Sequence, residues 1–116
     1  MSFQWNDKQP ITKQLVCQVC NMILVGDLKE NELLPPVRQI ATEYKLNPIT
    51  VSNAWNDLIE AGVVENKQAL GLVIKGNAKE IILKSEQKLF MTVEWPQVKT
   101  RIRNLKLEIR ELCKSL

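Results

Sequence analysis

Three cysteines are the residues of this 116-residue sequence whose type and spacing come nearest to covalent chemistry. Cys17-Gln18-Val19-Cys20 has the C-x-x-C spacing of dithiol redox centres, and Cys113 stands far from it. Such centres need a neighbouring cation and a βαβ setting to generate a reactive thiolate. Neither Lys nor Arg is adjacent to Cys17 or Cys20, and the surrounding pattern is that of one helix, so both are expected to be packing residues. An odd cysteine count also argues against a disulfide framework. Histidine is absent. Its absence removes the commonest general base, the Ser/His and Cys/His nucleophile pairs, and the commonest metal ligand. The carboxylates and lysines form no paired set. Neither catalysis, nor a cofactor, nor a metal is expected.

Charge is distributed unevenly. Residues 1–75 hold seven basic and eight acidic side chains, a balance of −1, while residues 76–116 hold nine basic and five acidic ones, a balance of +4. No apolar run is long enough to span a bilayer, and the first residues lack the basic and apolar regions of a secretory signal, so a cytoplasmic protein without membrane contact is expected. The sequence has room for one modest domain and a short appendage.

The elements that would carry any site follow from periodicity. Phe3-Gln4-Trp5 alternates and reads as a short strand or an ordered arm. From Gln9 to Val25, Ile11, Leu15, Val19 and Ile23 recur every four residues, with Val16, Cys20 and Leu24 beside them. That is one buried helical face, with Pro10 suited to its first turn and Gly26 to its end. A polar stretch with a Leu33-Leu34 anchor leads to a second helix, Pro36–Tyr44, burying Val37, Ile40, Ala41 and Tyr44. After a turn at Lys45-Leu46-Asn47, Pro48 opens a third helix capped by Asn47. Its expected core face is Val51, Ala54, Trp55, Leu58 and Ile59, and Ala61-Gly62 ends it. Two short helices around such a turn are a helix-turn-helix or an ordinary helical hairpin. Val63–Glu65 and Leu70–Ile74 then read as a β-hairpin through Asn66–Ala69, which favours a winged helix-turn-helix.

Helical composition resumes at Ala78 and runs to Phe90, Glu94-Trp95-Pro96 interrupts it, and a final helix follows. There Val98, Ile102, Leu105, Ile109, Leu112 and Leu116 fall at spacings of 4, 3, 4, 3 and 4. A heptad seam of this length predicts pairing with a second copy, although a helix packed on its own domain would show a similar stripe. The expected fold class is therefore mainly α with a small β-hairpin: a winged helix-turn-helix (1–75) followed by C-terminal dimerisation helices (76–116).

Several motifs stand in register. They are Pro10-Ile11-Thr12-Lys13-Gln14-Leu15, Leu34-Pro35-Pro36-Val37-Arg38-Gln39-Ile40-Ala41, Asn47-Pro48-Ile49-Thr50-Val51 with Trp55, Leu58-Ile59-Glu60-Ala61-Gly62, and Gly71-Leu72-Val73. In order and spacing residues 9–75 resemble the GntR family of winged helix-turn-helix regulators, and the short helical tail resembles its YtrA-like subfamily. The resemblance implies a bacterial transcription regulator, in most cases a repressor, that binds a palindromic operator in double-stranded DNA as a homodimer. One recognition helix per protomer would lie in the major groove, with the wings at the adjacent minor groove.

On that reading Arg38 would meet a phosphate or a guanine edge. Thr50 and Ser52 would offer hydroxyls early on the recognition helix, and Asn47 and Asn53 would meet phosphate or adenine. Gly71 would let the wing backbone approach the sugar-phosphate strand, and Lys45 and Lys67 would add charge. The chain departs from the family pattern in three places. Pro36 stands where serine is usual, Asn53 where arginine is common, and Asn66-Lys67-Gln68-Ala69-Leu70 where the wing is usually rich in Arg and Gly. These departures and the −1 head imply a shallow salt dependence and reliance on the dimer. They also leave a second possibility, a degenerate winged helix acting as a protein-interaction module without strong DNA binding. No effector pocket is marked in the sequence.

Overall fold

A computed structural model of the chain describes residues 8–116, so the Phe3-Gln4-Trp5 reading lies outside the described residues. The elements in order are α1 (Ile11–Val25), α2 (Val37–Glu43), α3 (Pro48–Glu60), β1 (Val64–Lys67), β2 (Gly71–Ile74), α4 (Ala78–Leu89), a π-helical turn (Phe90–Glu94), α5 (Trp95–Asn104) and α6 (Ile109–Lys114). The chain divides into two compact units, one ending at Leu83 and the other spanning Lys84–Leu116.

The first unit is organised by apolar spacing. Leu15, Val19 and Ile23 on α1 are buried against Val51, Ala54, Trp55 and Leu58 on α3, with Ile40, Val63, Val64 and Ile74 closing the cluster. Burying each large side chain of this set is worth about 1.5–3 kcal/mol. The expected faces need two trims, since Ile11 and Ile59 are exposed near helix ends. The packing role expected of both early cysteines also holds for only one. Cys20 packs against the core, whereas Cys17 is exposed, being three residues away and on the rim of the apolar stripe. None of the three cysteines is in a disulfide.

Helix ends match local chemistry. Gly26 closes α1 at φ 93°, its N–H donating to the carbonyls of Met22 and Ile23. Gln14, buried near the start of α1, donates through Nε2 to the Gln9 carbonyl at 2.9 Å. The Asn47 side chain accepts the Ile49 N–H at 2.9 Å and Pro48 occupies the first turn, so α3 starts as its sequence requires. Asn47→Ala should cost about 1 kcal/mol of head stability. A urea midpoint equal to that of the parent protein would contradict this.

The hairpin is antiparallel, pairing Val64 with Ile74, Glu65 with Val73, Asn66 with Leu72 and Lys67 with Gly71. β1 thus runs two residues past the expected Glu65, and the turn is Gln68–Leu70 rather than Asn66–Ala69. Leu70 N–H closes it onto the Lys67 carbonyl at 3.0 Å, and Gly71 follows at φ 103°. A side chain at Gly71 would meet no steric obstacle, so the backbone angle is what demands glycine there. Residues before α2 add a short third edge, with Leu33 bridging Val73 and Leu34 N–H donating to the Leu72 carbonyl at 2.8 Å. Only Leu34 of the expected Leu33-Leu34 anchor is buried, because the two side chains point to opposite faces of this edge.

In the tail, two sequence expectations are corrected. Glu94-Trp95-Pro96 does not interrupt the helix. The backbone widens into a π turn over Phe90–Glu94, with Trp95 N–H bonding to the Phe90 carbonyl five residues back. This wider turn relieves the clash of a proline ring with the carbonyl four residues before it. Phe90 and Trp95 stack across it, centroids 6.3 Å apart. The final helix, conversely, is two helices. α5 ends in a Schellman turn in which Leu107 N–H donates to Ile102 O at 3.1 Å and Lys106 N–H to Arg103 O at 3.2 Å, with Lys106 at φ 55°. The seam residues therefore do not share one helix. Val98 and Ile102 lie on α5, Leu105 at its end, Ile109 and Leu112 on α6, and Leu116 beyond it. Heptad counting assumes constant helical phase, which a left-handed residue breaks.

Candidate nucleic-acid interface

The site is built around the junction of α2 and α3. α2 terminates in the same device as α5: Leu46 N–H donates to the Ala41 carbonyl at 2.9 Å, and Lys45 takes φ 55°. A non-glycine residue in this region costs about 1–2 kcal/mol, which the surrounding packing sustains. Lys45 is thus a turn residue held in a tight connection, its side chain exposed. Burial, with the Glu43 carboxylate second, pushes the adjoining Tyr44 phenol above its ordinary pKa.

α3 has its apolar face sunk into the core by Val51, Ala54, Trp55 and Leu58, which turns Ile49, Asn53, Asn56 and Glu60 to the outside. Thr50 and Ser52 sit at the two flanks of that face, half-buried. Asn53 and Asn56 have no side-chain hydrogen bond among the described residues, and Ile49 is 69% exposed. Asn47 lies at the head of the helix with its carbonyl oxygen already engaged as the cap.

Arg38 occupies the first turn of α2, exposed and free of ion pairs among the described residues. A shallow depression lined by Pro36, Arg38, Gln39, Thr42 and Glu43 surrounds it. Trp55 sets where this turn stands: only 1% exposed, it donates from Nε1 to the Pro35 carbonyl at 2.9 Å, tying α3 to the residues that begin α2. In the wing, Gly71 is exposed at its special φ, whereas Lys67 is engaged by Glu65 at 3.5 Å. Both partners of that pair are half-exposed, so it is weak and readily exchanged.

The structure thus brings Arg38, Thr50, Ser52 and Asn53 onto the α2–α3 layer, with Lys45 and Asn47 in the connection between the helices and Lys67 and Gly71 in the hairpin. Sequence reasoning missed Ile49 and Asn56 as members of the outer face. Counting from the buried Val51 and Trp55 at 100° per residue would have placed both there.

Helix, helix-turn-helix and a hairpin edged by the segment that precedes α2 define a winged helix-turn-helix protein. The chain belongs to the family of bacterial regulatory proteins known as the gntR family, whose family model matches residues 11–74. It is 35% identical over 77 residues to the HTH-type transcriptional repressor YtrA of Bacillus subtilis, an alignment covering 66% of this chain and 59% of that protein. It is also 29% identical over 89 residues to the HTH-type transcriptional regulator YhcF of the same organism, covering 77% and 73% of the two chains. Among solved structures, a transcriptional regulator from Oenococcus oeni superposes with a TM-score of 0.77 at 25% identity, covering 98% of this chain and 92% of that one. The chain spans less than two thirds of the length of the repressor YtrA.

Proposed function

We propose that this chain is a sequence-specific DNA-binding transcription regulator, a repressor that binds a palindromic operator as a homodimer. The observation that carries the reading is the unpartnered outer face of α3 beside the free Arg38 guanidinium, with α3 tied to the start of α2 by the Trp55–Pro35 hydrogen bond. Groups that seek hydrogen-bond partners, placed on a protruding helix narrow enough for the major groove, suit base-edge readout. Arg38 contacts a guanine or a phosphate, Thr50 and Ser52 contact phosphates from the flanks, and Lys45 and the free amide of Asn47 add backbone contacts. Gly71 and Lys67 bring the wing to the minor groove, Lys67 exchanging Glu65 for a phosphate. Repression agrees with the function in YtrA's name. No catalytic step is involved.

The second copy is bound through the unit Lys84–Leu116, where Val98, Leu105, Ile109 and Leu112 expose apolar surface together with Leu89, Phe90 and Met91. No helix of the described residues is long and apolar enough to cross a membrane, and the protein acts in the cytoplasm.

A gel shift with the purified chain on the DNA upstream of its own gene tests the reading. A retarded complex is expected, and Arg38→Ala should weaken it about tenfold to a hundredfold. Absence of any shift at low salt would overturn it. The non-basic head and the Lys67–Glu65 pair would then favour a protein-interaction module instead.

A further inference from the structure

The outer face of α3 also bears on which base pairs it can read, an inference that rests on the reading above. Its central positions are Ile49, Asn53 and Asn56, with Ser52 and Thr50 at the flanks and Asp57 and Glu60 towards the far end. Neither lysine nor arginine occurs anywhere on α3. Guanine is read in the major groove through two acceptors, O6 and N7, and the side chains that satisfy both are Arg and Lys. α3 has no such donor fork. What it presents instead is a pair of carboxamides one helical turn apart and an aliphatic side chain one turn before Asn53. A carboxamide matches adenine, donating to N7 and accepting from N6–H, and an aliphatic group matches the thymine C5-methyl.

The exposure of Ile49 strengthens the assignment. At 69% exposed it contributes little to the head's core, and it stands at the N-terminal end of the helix, the end that reaches deepest into a major groove. Asp57 and Glu60, lying towards the C-terminal end, repel phosphates and keep that half of the helix away from the backbone.

We infer that α3 reads A·T pairs: Ile49 packs on a thymine methyl while Asn53, with Asn56 one turn on, hydrogen-bonds adenine. Guanine recognition within a half-site is left to Arg38 on α2. The operator core under each α3 is accordingly rich in A·T.

In vitro selection of randomised duplexes by the full chain, followed by affinity measurements on the selected sequence, tests this. The expected half-site is A·T-rich at consecutive positions. Replacing the contacted thymine by deoxyuridine, which removes only the 5-methyl group, should weaken binding by about fourfold per half-site. Ile49→Ala should bind the thymine and deoxyuridine duplexes equally. Because Ile49 and Asn53 are exposed, Ile49→Ala and Asn53→Ala leave the core intact, and thermal unfolding unchanged from the parent protein verifies that. Selection of G·C-rich half-sites, or indifference of the parent protein to deoxyuridine at every thymine, overturns the inference while leaving DNA binding in place. Failure to enrich any sequence overturns DNA binding itself, and the inference with it.

Discussion

Trp55→Ala is expected to lower the melting temperature of the winged helix by more than 10 °C. Trp55, on α3, is the largest fully buried side chain among the described residues and bonds to the segment before α2. Truncating a buried tryptophan costs about 3–5 kcal/mol through lost transfer energy and the cavity left behind. The Pro35 carbonyl loses its indole donor as well, adding about 1 kcal/mol if no water replaces it. A head of this size has a total stability towards the lower end of about 5–15 kcal/mol, so half or more of it disappears. Each kcal/mol moves the melting temperature of a small domain by roughly 4–8 °C. Trp55→Phe separates the two contributions. It retains most of the volume but not the N–H donor, and should lose about 1–2 kcal/mol. Circular dichroism melts report both variants, and a Trp55→Ala melt within 3 °C or so of the parent protein would remove Trp55 as the organiser of the α2–α3 layer.

The second large effect is expected from the tail. Val98→Asp combined with Ile109→Asp should convert a dimer to monomers and reduce operator affinity by about 10²–10⁴, the loss expected when two linked contacts become independent. Both side chains are exposed in the single chain, so neither substitution opens a core, and the monomer should remain helical. The head residues 1–75 carry a balance of −1, which leaves each protomer little non-specific attraction for phosphate. On the proposed dimeric reading, avidity supplies what charge does not. Light scattering measures the mass and fluorescence anisotropy the affinity. A variant that remains dimeric places the interface on other residues, and a monomer that binds as tightly as the dimer would refute the reliance on pairing.

Both predictions depend on elements that differ in how openly the sequence displays them. The head was legible because its signals are local and redundant. Apolar residues four apart fix α1, the Asn47-Pro48 start and Ala61-Gly62 end bound α3, and a short alternating pair with Gly71 marks the hairpin. Errors there amount to a residue or two at strand ends, to Cys17 and Leu33, which are exposed, and to Ile11 and Ile59, whose exposure reflects helix ends rather than face. The tail was less legible. Pro96 looks like a breaker in sequence, but a π turn absorbs it, and whether a backbone breaks or widens depends on packing such as the Phe90–Trp95 stack. The heptad spacing through Leu116 is real as a pattern, yet Lys106 adopts a left-handed conformation that no glycine or proline announces.

The same division applies to the interface. Residue types and local spacing established the helix-turn-helix, its caps, its low charge and the presence of Arg38 and Asn53, because capping, periodicity and formal charge act over a few residues. Chain folding established that Trp55 ties α3 to Pro35, that residues before α2 complete the sheet beside the wing, and that Lys67 is shared with Glu65. That Ile49 and Asn56 stand with Asn53 on the outer face was, by contrast, implicit in the periodicity of α3, since it follows from the buried face opposite. The Trp55–Pro35 and Leu33–Val73 contacts join residues twenty and forty positions apart, and no local preference of the chain encodes them.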